Sequence, residues 1–350
     1  MSHRQPVRPA DVARFDAIVD VRSPGEFALD HIPGAINCPV LDDEERARVG
    51  TLYVQRSAFE ARRMGGPLVA KNIARHIEEQ FAAMPERWSP AVYCWRGGMR
   101  SGAMVTIMRQ VGWDAQQLAG GYKAYRAHVV ERIATQSPQL DLRVLCGPTG
   151  SAKTRVLQAL AARGAQVLDL EAWACHKGSL LGGMLGLPQP SQKAFETRIG
   201  AAIAELDITK PVFIEAESAR IGRLSVPRPL LDRLRDAPCI ELAAPLEQRV
   251  SFLQRDYAEL SADPTLLHER LAALRELHGA AVVERWQKLA ADGALAELVE
   301  QLLSKHYDPH YARSQERHLL RWSGRATLVA EDLSDAGIDQ LSASLQSSCA

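Results

Sequence analysis

Apolar and polar positions over the first 130 or so residues follow two rhythms. Ala17–Val21 (AIVDV) and Ala91–Cys94 (AVYC) are short apolar runs that read as buried strands, each followed by a polar or glycine-rich turn. Elsewhere the period lengthens to that of a helix. Val69, Ile73, Ile77 and Phe81 share one face of a segment from Leu68 to Met84, and Ser101–Val111 reads the same way. Strands alternating with helices predict a parallel sheet covered on both faces. This unit ends near Tyr122–Ala134. Ser137-Pro138 marks a boundary, because the residue before proline is biased away from helix.

The same alternation then restarts. Leu142–Cys146 (LRVLC) predicts a strand that runs through a glycine-rich turn into a helix, Thr154–Arg163. Further strands are expected at Gln166–Leu170, Val212–Glu215 and Cys239–Leu242. From Pro245 onward the spacing is helical: Leu246–Leu260, Pro264–Leu277 and Val282–Leu303 carry apolar residues three and four apart, and a short strand follows at Ala326–Ala330. No internal repeat or low-complexity tract is present. The expected organisation is an α/β domain over residues 1–135 and a second α/β domain over 136–350 with a helical C-terminal extension.

The length of 350 residues supports two domains, at roughly 100–200 residues each. Lys+Arg and Asp+Glu are equal at 42 each, so no overall basic balance points to nucleic acid, although a local patch would suffice for binding. Arg220, Arg223, Arg228, Arg233 and Arg235 form such a run, readable as a contact to nucleic-acid phosphates or as a solvated helix face. The six cysteines are scattered with no CxxC pair. That argues against a disulfide framework and a structural metal, and leads to the expectation of a cytoplasmic protein. Met1–Ala13 has no apolar run of the signal-peptide kind, and no apolar stretch reaches about 18 residues, so no membrane partner is expected.

Two stretches carry chemistry. Cys94 ends a strand and opens Cys94-Trp95-Arg96-Gly97-Gly98-Met99-Arg100-Ser101, which runs into a helix. Backbone N–H groups at a helix start stabilise negative charge, and Arg96 and Arg100 add to them. Together they should hold the thiol below its ordinary value and make Cys94 a nucleophile, with Arg96 and Arg100 as its catalytic partners. Gly147-Pro148-Thr149-Gly150-Ser151-Ala152-Lys153-Thr154 follows a strand and opens a helix, matching G-x-x-x-x-G-K-[ST] except for Ala152 in place of the second glycine. Amides of this loop would cradle phosphate oxygens, Lys153 would add a positive charge, and Thr154 is placed to reach an ion such as Mg2+. Past the strand Val212–Glu215, Glu215 and Glu217 are candidates to hold that metal or orient a polar group, while acidic residues past strand ends are also often just solvated.

Asp20-Val21-Arg22-Ser23-Pro24-Gly25-Glu26-Phe27, His31-Ile32-Pro33-Gly34-Ala35-Ile36-Asn37 and Leu118-Ala119-Gly120-Gly121-Tyr122 resemble the rhodanese family from about Asp16 to Arg126. That resemblance implies a rhodanese-like N-terminal fold, a structural role for Asp20 and Arg22, and a chalcogen carried on Cys94. The active loop departs from the usual rhodanese length. Cys94 and Arg100 make a C-x5-R spacing that fits either a carried chalcogen or a phosphate-like anion.

The pairing of this domain with a P-loop NTPase-like domain resembles the tRNA 2-selenouridine synthase family over nearly the full length. Further matching segments are Asp169-Leu170-Glu171, His176-Lys177-Gly178-Ser179, Gln189-Pro190-Ser191-Gln192 with Phe195-Glu196, Glu215–Gly222 and Tyr307-Asp308-Pro309-His310-Tyr311. The resemblance implies a transferase that geranylates wobble 2-thiouridine in the tRNA anticodon with geranyl diphosphate, then installs selenium from selenophosphate. A selenophosphate-supplying enzyme is then a further expected partner, and Cys94 is expected to hold selenium as a perselenide or otherwise assist that step. His176, Ser179, Gln192, Glu215, Glu217 and Arg220 are the polar substrate candidates. His176 alone reads as a capping or core histidine, Trp173 as core, and Tyr307 and Tyr311 as residues that pack more often than they stack a base. Two other readings stand beside this one: a C-x5-R phosphatase with an ATP-binding P-loop, and a nucleotide-sensing binding module with an inert rhodanese part.

Overall fold

The computed structural model describes residues 6–178, 182–184 and 186–349. The chain divides into two compact α/β units. One runs up to Arg132 and adds Pro190–Ala201; the other comprises Ile133–Gln189 and the chain from Ala202 onward.

The first unit has a four-stranded parallel sheet. Its strands are β1 (Ala17–Asp20), β2 (Ala35–Asn37), β3 (Pro90–Tyr93) and β4 (Gln116–Gln117), in the order β2-β1-β3-β4. Every residue of β3 is buried, as expected for a strand covered on both faces. Val19, Val21, Ile73, Val92, Met104 and Met108 form the core, closed by Phe81, Trp88 and Trp113. Trp88 and Trp113 meet edge to face at 5.2 Å between ring centroids. The helix expected over Leu68–Met84 starts earlier, at Ala58, and its α-helical part ends at His76. Ser57 caps its start by accepting from Glu60 N–H, and a π-turn, Ile77–Phe81, replaces its last part. Preceding it is a helix the apolar pattern does not announce, Asp43–Gln55, which has no buried residue.

Under the sheet, Arg22 and Asp20 make a wholly buried ion pair, with Nη2 2.6 Å from Oδ2. Arg22 also donates to the Asp30 carbonyl at 2.7 Å and lies over the Tyr122 ring. These are the residues for which the resemblance implies a structural role. Asp20→Ala is expected to cost about 3–5 kcal/mol in urea unfolding, because it strands a buried guanidinium.

The second unit has a five-stranded parallel sheet: β5 (Leu142–Cys146), β6 (Gln166–Leu168), β7 (Val212–Glu215), a small hairpin β8 (Arg220–Ile221) and β9 (Leu224–Ser225) outside the sheet, then β10 (Cys239–Ala243) and β11 (Ala326–Val329). The order is β11-β10-β5-β7-β6. Because the strands are parallel, the segments following β5, β6 and β7 leave from the same edge, which is where open α/β sheets bind ligands. β6 is shorter than expected. Asp169 leaves the strand to cap the helix Leu170–Ala174, accepting from Ala172 N–H at 2.9 Å.

The expected long C-terminal helices are present but broken. Leu246–Asp256 stops at Tyr257, Pro264–Ala272 is followed by a separate Arg275–His278, and Ala280–Ala291 is parted from Leu295–Leu302. At the last break Gly293 takes φ +71°, a left-handed conformation that ends a helix. Leu267, Leu271, Val283, Trp286, Leu298 and Leu302 make a core of their own.

Candidate active sites

In the first unit, β3 delivers Cys94 to the sheet edge and the helix Met99–Val111 starts five residues later. Cys94 is only 4% exposed. Its Sγ accepts from the Gly98 N–H at 3.3 Å and from the Ser101 hydroxyl at 3.2 Å. Burial alone would raise the thiol pKa. The Ser101 hydroxyl, the Gly98 N–H and the Arg100 charge outweigh that effect and hold it below the ordinary value. Gln117 on β4 fixes the donor, giving one N–H to Ser101 Oγ at 2.8 Å and one to the Gly98 carbonyl at 2.9 Å. Arg96 is exposed on the loop. Arg100 donates to Glu26 Oε2 at 3.0 Å, an oxygen that also receives Arg46 at 2.8 Å.

The segment Leu118-Ala119-Gly120-Gly121-Tyr122 is the wall behind this loop. Tyr122 and Lys123 N–H groups donate to the Cys94 and Trp95 carbonyls, both at 2.9 Å. Gly121 has φ +59°, and a Cβ there would lie 2.3 Å from the Cys94 carbonyl oxygen, so only glycine fits. Pro190–Ala201 also flanks the loop. Lys193 Nζ lies 5.7 Å from the Trp95 ring centroid, and Thr197 donates to the buried Asp30, which Tyr122 also contacts.

In the second unit, Gly147–Thr154 wraps the start of the helix Lys153–Ala162. Ala152 sits at φ 59°, ψ 24°, the left-handed conformation for which the motif normally uses glycine. The motif departure therefore changes the residue and keeps the backbone shape. Lys153 Nζ donates to the Gly147 carbonyl at 2.8 Å and the Pro148 carbonyl at 3.3 Å. Behind the loop, buried Arg249 donates through Nε to the Thr149 carbonyl at 2.8 Å and grips Asp308 with its two terminal nitrogens at 3.1 and 2.6 Å. The Tyr311 hydroxyl accepts from the Gly147 N–H.

Opposite the loop stand three carboxylates, Glu171, Glu215 and Glu217, with ligand oxygens within 4.8 Å of one another. Glu171 accepts from Thr154 Oγ1 at 3.1 Å, and Glu215 Oε1 is a buried acceptor with no partner. Burial, then the charge of Glu171, pushes the Glu215 carboxyl up to about 8 and raises Glu217 well above its ordinary value. Burial likewise raises Glu171, against the opposing charge of Lys153. Near neutral pH such a cluster shares protons unless a cation is held among its oxygens. Loop and carboxylates line one cavity of about 880 Å3, whose remaining wall includes Met184, Phe252, Leu253, Tyr257, Tyr307 and Leu319. The lining therefore combines a polyanion cradle with apolar side chains, Leu253 lying against Gly150 of the loop itself.

Gly147, Thr149, Gly150, Ala152, Lys153, Thr154, Glu215, Glu217 and Arg220 all face this cavity. Ser151 is fully buried with an unpartnered Oγ and is not among the lining residues. His176 does not line it either. It pairs with Gly183 through backbone, and burial followed by the Arg270 charge lowers its pKa. Lys177 and Gly178 beside it do reach the cavity, with Lys177 Nζ held by Asp256 at 2.6 Å. Gln192 belongs to the first unit, bonded to Glu196 at 2.9 Å. Ser179 lies outside the described residues. The arginine run divides: Arg220 and Arg235 face the cavity, Arg228 pairs with Asp232, and Arg233 holds the Leu140 carbonyl. Sequence reasoning passes over Glu171, Gln117 and Arg249 as site residues, and it reads Tyr311 as packing where its hydroxyl accepts from the phosphate loop. For Glu171 a signal exists, since it is an acidic residue just past a parallel strand at the ligand-binding edge.

The two halves correspond to two known families. A profile described as "Rhodanese-like domain" matches residues 8–128, and one described as "tRNA 2-selenouridine synthase AAA domain" matches residues 140–268. The chain is 35% identical over 326 residues to a tRNA 2-selenouridine synthase of Marinobacter nauticus, covering 84% of this chain and 87% of the relative. It is 34% identical over 345 residues to one of Bdellovibrio bacteriovorus, covering 86% and 89%. A third, from Nitrosomonas europaea, is 37% identical over 244 residues, covering 69% of this chain and 63% of that relative, just under two thirds of its length. With a buried, activated cysteine in one unit, a phosphate loop facing carboxylates in the other, and relatives matched across both, the chain belongs to the tRNA 2-selenouridine synthase family.

Proposed function

We propose that this protein converts wobble 2-thiouridine in tRNA anticodons to 2-selenouridine through an S-geranyl intermediate, using geranyl diphosphate and then selenophosphate. The observation that carries the first step is the cavity of the second unit, whose lining combines the phosphate loop and its lysine with the apolar side chains of Met184, Phe252, Leu253 and Leu319. A lining of both kinds suits a ligand with a diphosphate head and a prenyl tail. In the reaction the thiocarbonyl sulfur attacks C1 of the geranyl group, the C–O bond breaks, and diphosphate leaves. In this reading Lys153 and the loop amides stabilise that leaving charge.

Thr154, Glu171, Glu215 and Glu217 are the residues that would hold Mg2+, and the unpartnered Glu215 oxygen suits a cation ligand. A bound divalent ion would neutralise diphosphate charge.

The Cys94 loop serves the selenium step in this reading. Its amides and Arg96 suit the anionic donor selenophosphate, with an activated thiol at their centre. The selenium of selenophosphate then adds at C2 of the pyrimidine, geranylthiolate leaves as a better leaving group than unalkylated sulfur, and water takes the phosphoryl group from selenium to release phosphate. The phosphatase reading is disfavoured by Arg100, whose guanidinium is committed to Glu26. Mass spectrometry of nucleosides from 2-thiouridine tRNA, with each donor omitted in turn, tests the proposal. A geranylthio nucleoside without selenophosphate, converted to 2-selenouridine on its addition, is expected; tRNA unaltered under every condition refutes it.

A further inference from the structure

The helical hairpin Asp43–Gln55 and Ala58–His76 is unusual for what it leaves outside. Its first helix buries no residue, and over the first half of the second only Ala61 and Gly65 are buried. The two helices close on each other where Gly65 meets Val49; a Cβ at Gly65 would stand 3.3 Å from the Val49 side chain. The tip is therefore a projection from the Cys94 unit. It nonetheless presents large apolar side chains to solvent: Tyr53 is 64% exposed, Val54 83% and Phe59 66%. Such exposure costs free energy and marks a contact surface when it is clustered.

Charge identifies the partner. The hairpin as a whole carries seven Arg and Lys against four Asp and Glu, and its tip, residues 46–64, carries Arg46, Arg48, Arg56, Arg62 and Arg63 against Glu60 alone, in a chain whose total charge is zero. Arg63 is taken by Glu60, and Arg46 by Glu26. Arg48 and Arg56 are exposed and have no carboxylate partner among the described residues. Unpaired arginines interleaved with exposed aromatics form a surface for phosphates and unstacked bases. Arginine and aromatic side chains also suit a protein interface, and the salt dependence of binding separates the two partners. The root of the hairpin is tied to the reactive loop, because Arg46 and Arg100 share Glu26 Oε2.

We infer that this hairpin is an RNA-holding arm, with Arg48 and Arg56 on phosphates and Tyr53 and Phe59 stacked on bases of the tRNA substrate. The inference rests on the tRNA reading above. It is tested by titrating labelled 2-thiouridine tRNA with the full chain at several salt concentrations. Arg48→Ala/Arg56→Ala should weaken binding and lower the slope of log K against log salt by roughly 1.5–2. Tyr53→Ala/Phe59→Ala should weaken binding about tenfold or more with the slope unchanged. Cys94 alkylation should proceed at the wild-type rate in both variants, showing that the unit is folded. Wild-type binding with unaltered affinity and slope in the variants overturns the arm alone. A wild-type chain that holds no tRNA overturns the proposed function, and the arm with it.

Discussion

Lys153→Ala is expected to lower formation of the geranylthio nucleoside by about 10²–10³-fold, the usual loss when one preorganised charge on a developing anion is removed. The lysine stands on the loop that faces the cavity, and its ammonium is anchored to two loop carbonyls. A second effect works in the same direction. Its charge opposes the upward push on Glu171 and Glu215, so its removal drives both carboxyls further toward their neutral forms. Neutral acids are poor cation ligands and no longer polarise the site. Raising the pH should therefore restore part of the lost rate in the variant if carboxylate ionisation contributes. Lys153→Arg is not expected to rescue fully, since a planar fork does not replace a compact ammonium. Initial rates by nucleoside mass spectrometry decide the matter. Wild-type geranylation in Lys153→Ala would remove the phosphate loop from the mechanism.

Cys94→Ala is expected to abolish the selenium step, by at least about 10³-fold as for other lost nucleophiles, while geranylated tRNA accumulates. The separation follows from chemistry: the first step needs a bound diphosphate and the second a reactive chalcogen site. The thiol itself gives a simpler readout. With its pKa held down, alkylation of Cys94 should show a midpoint below that of free cysteine, at about pH 8.5. In Ser101→Ala the strongest hydrogen bond to the thiolate is gone while burial remains, so the midpoint should move up and the rate at neutral pH should fall. A midpoint unmoved by Ser101→Ala would show that the thiolate is stabilised by something other than this contact. Undiminished 2-selenouridine formation by Cys94→Ala would remove the cysteine from the reaction.

The two reactive loops are legible in the sequence for one reason. Each joins an apolar strand to a helix over a few residues, and its chemistry is local: Cys94 to Ser101, Gly147 to Thr154. The alternation of strands and helices carries the fold class equally well. What is not legible is support from afar. The Gly147 amide meets Tyr311 164 residues later, and Arg249 joins Thr149 to Asp308. No periodicity encodes such pairs. Gln117, which orients Ser101, lies on a two-residue strand too short to register as a pattern. The broken C-terminal helices show the converse. Their apolar spacing runs on through Gly293, and the break is set by a single backbone conformation.

Pro190–Ala201 belongs with the first unit although Ile133–Gln189, between, belongs with the second. Its Thr197 hydroxyl reaches the buried carboxylate of Asp30, and Arg126 grips Glu196. On the ribosome, then, the N-terminal unit lacks these contacts when its own last helix emerges. Those contacts form only once residues 196 and 197 are out, with the phosphate loop already synthesised. The chain is stitched rather than strung. A gene cut near residue 135 would yield a first half lacking the strap beside its reactive loop.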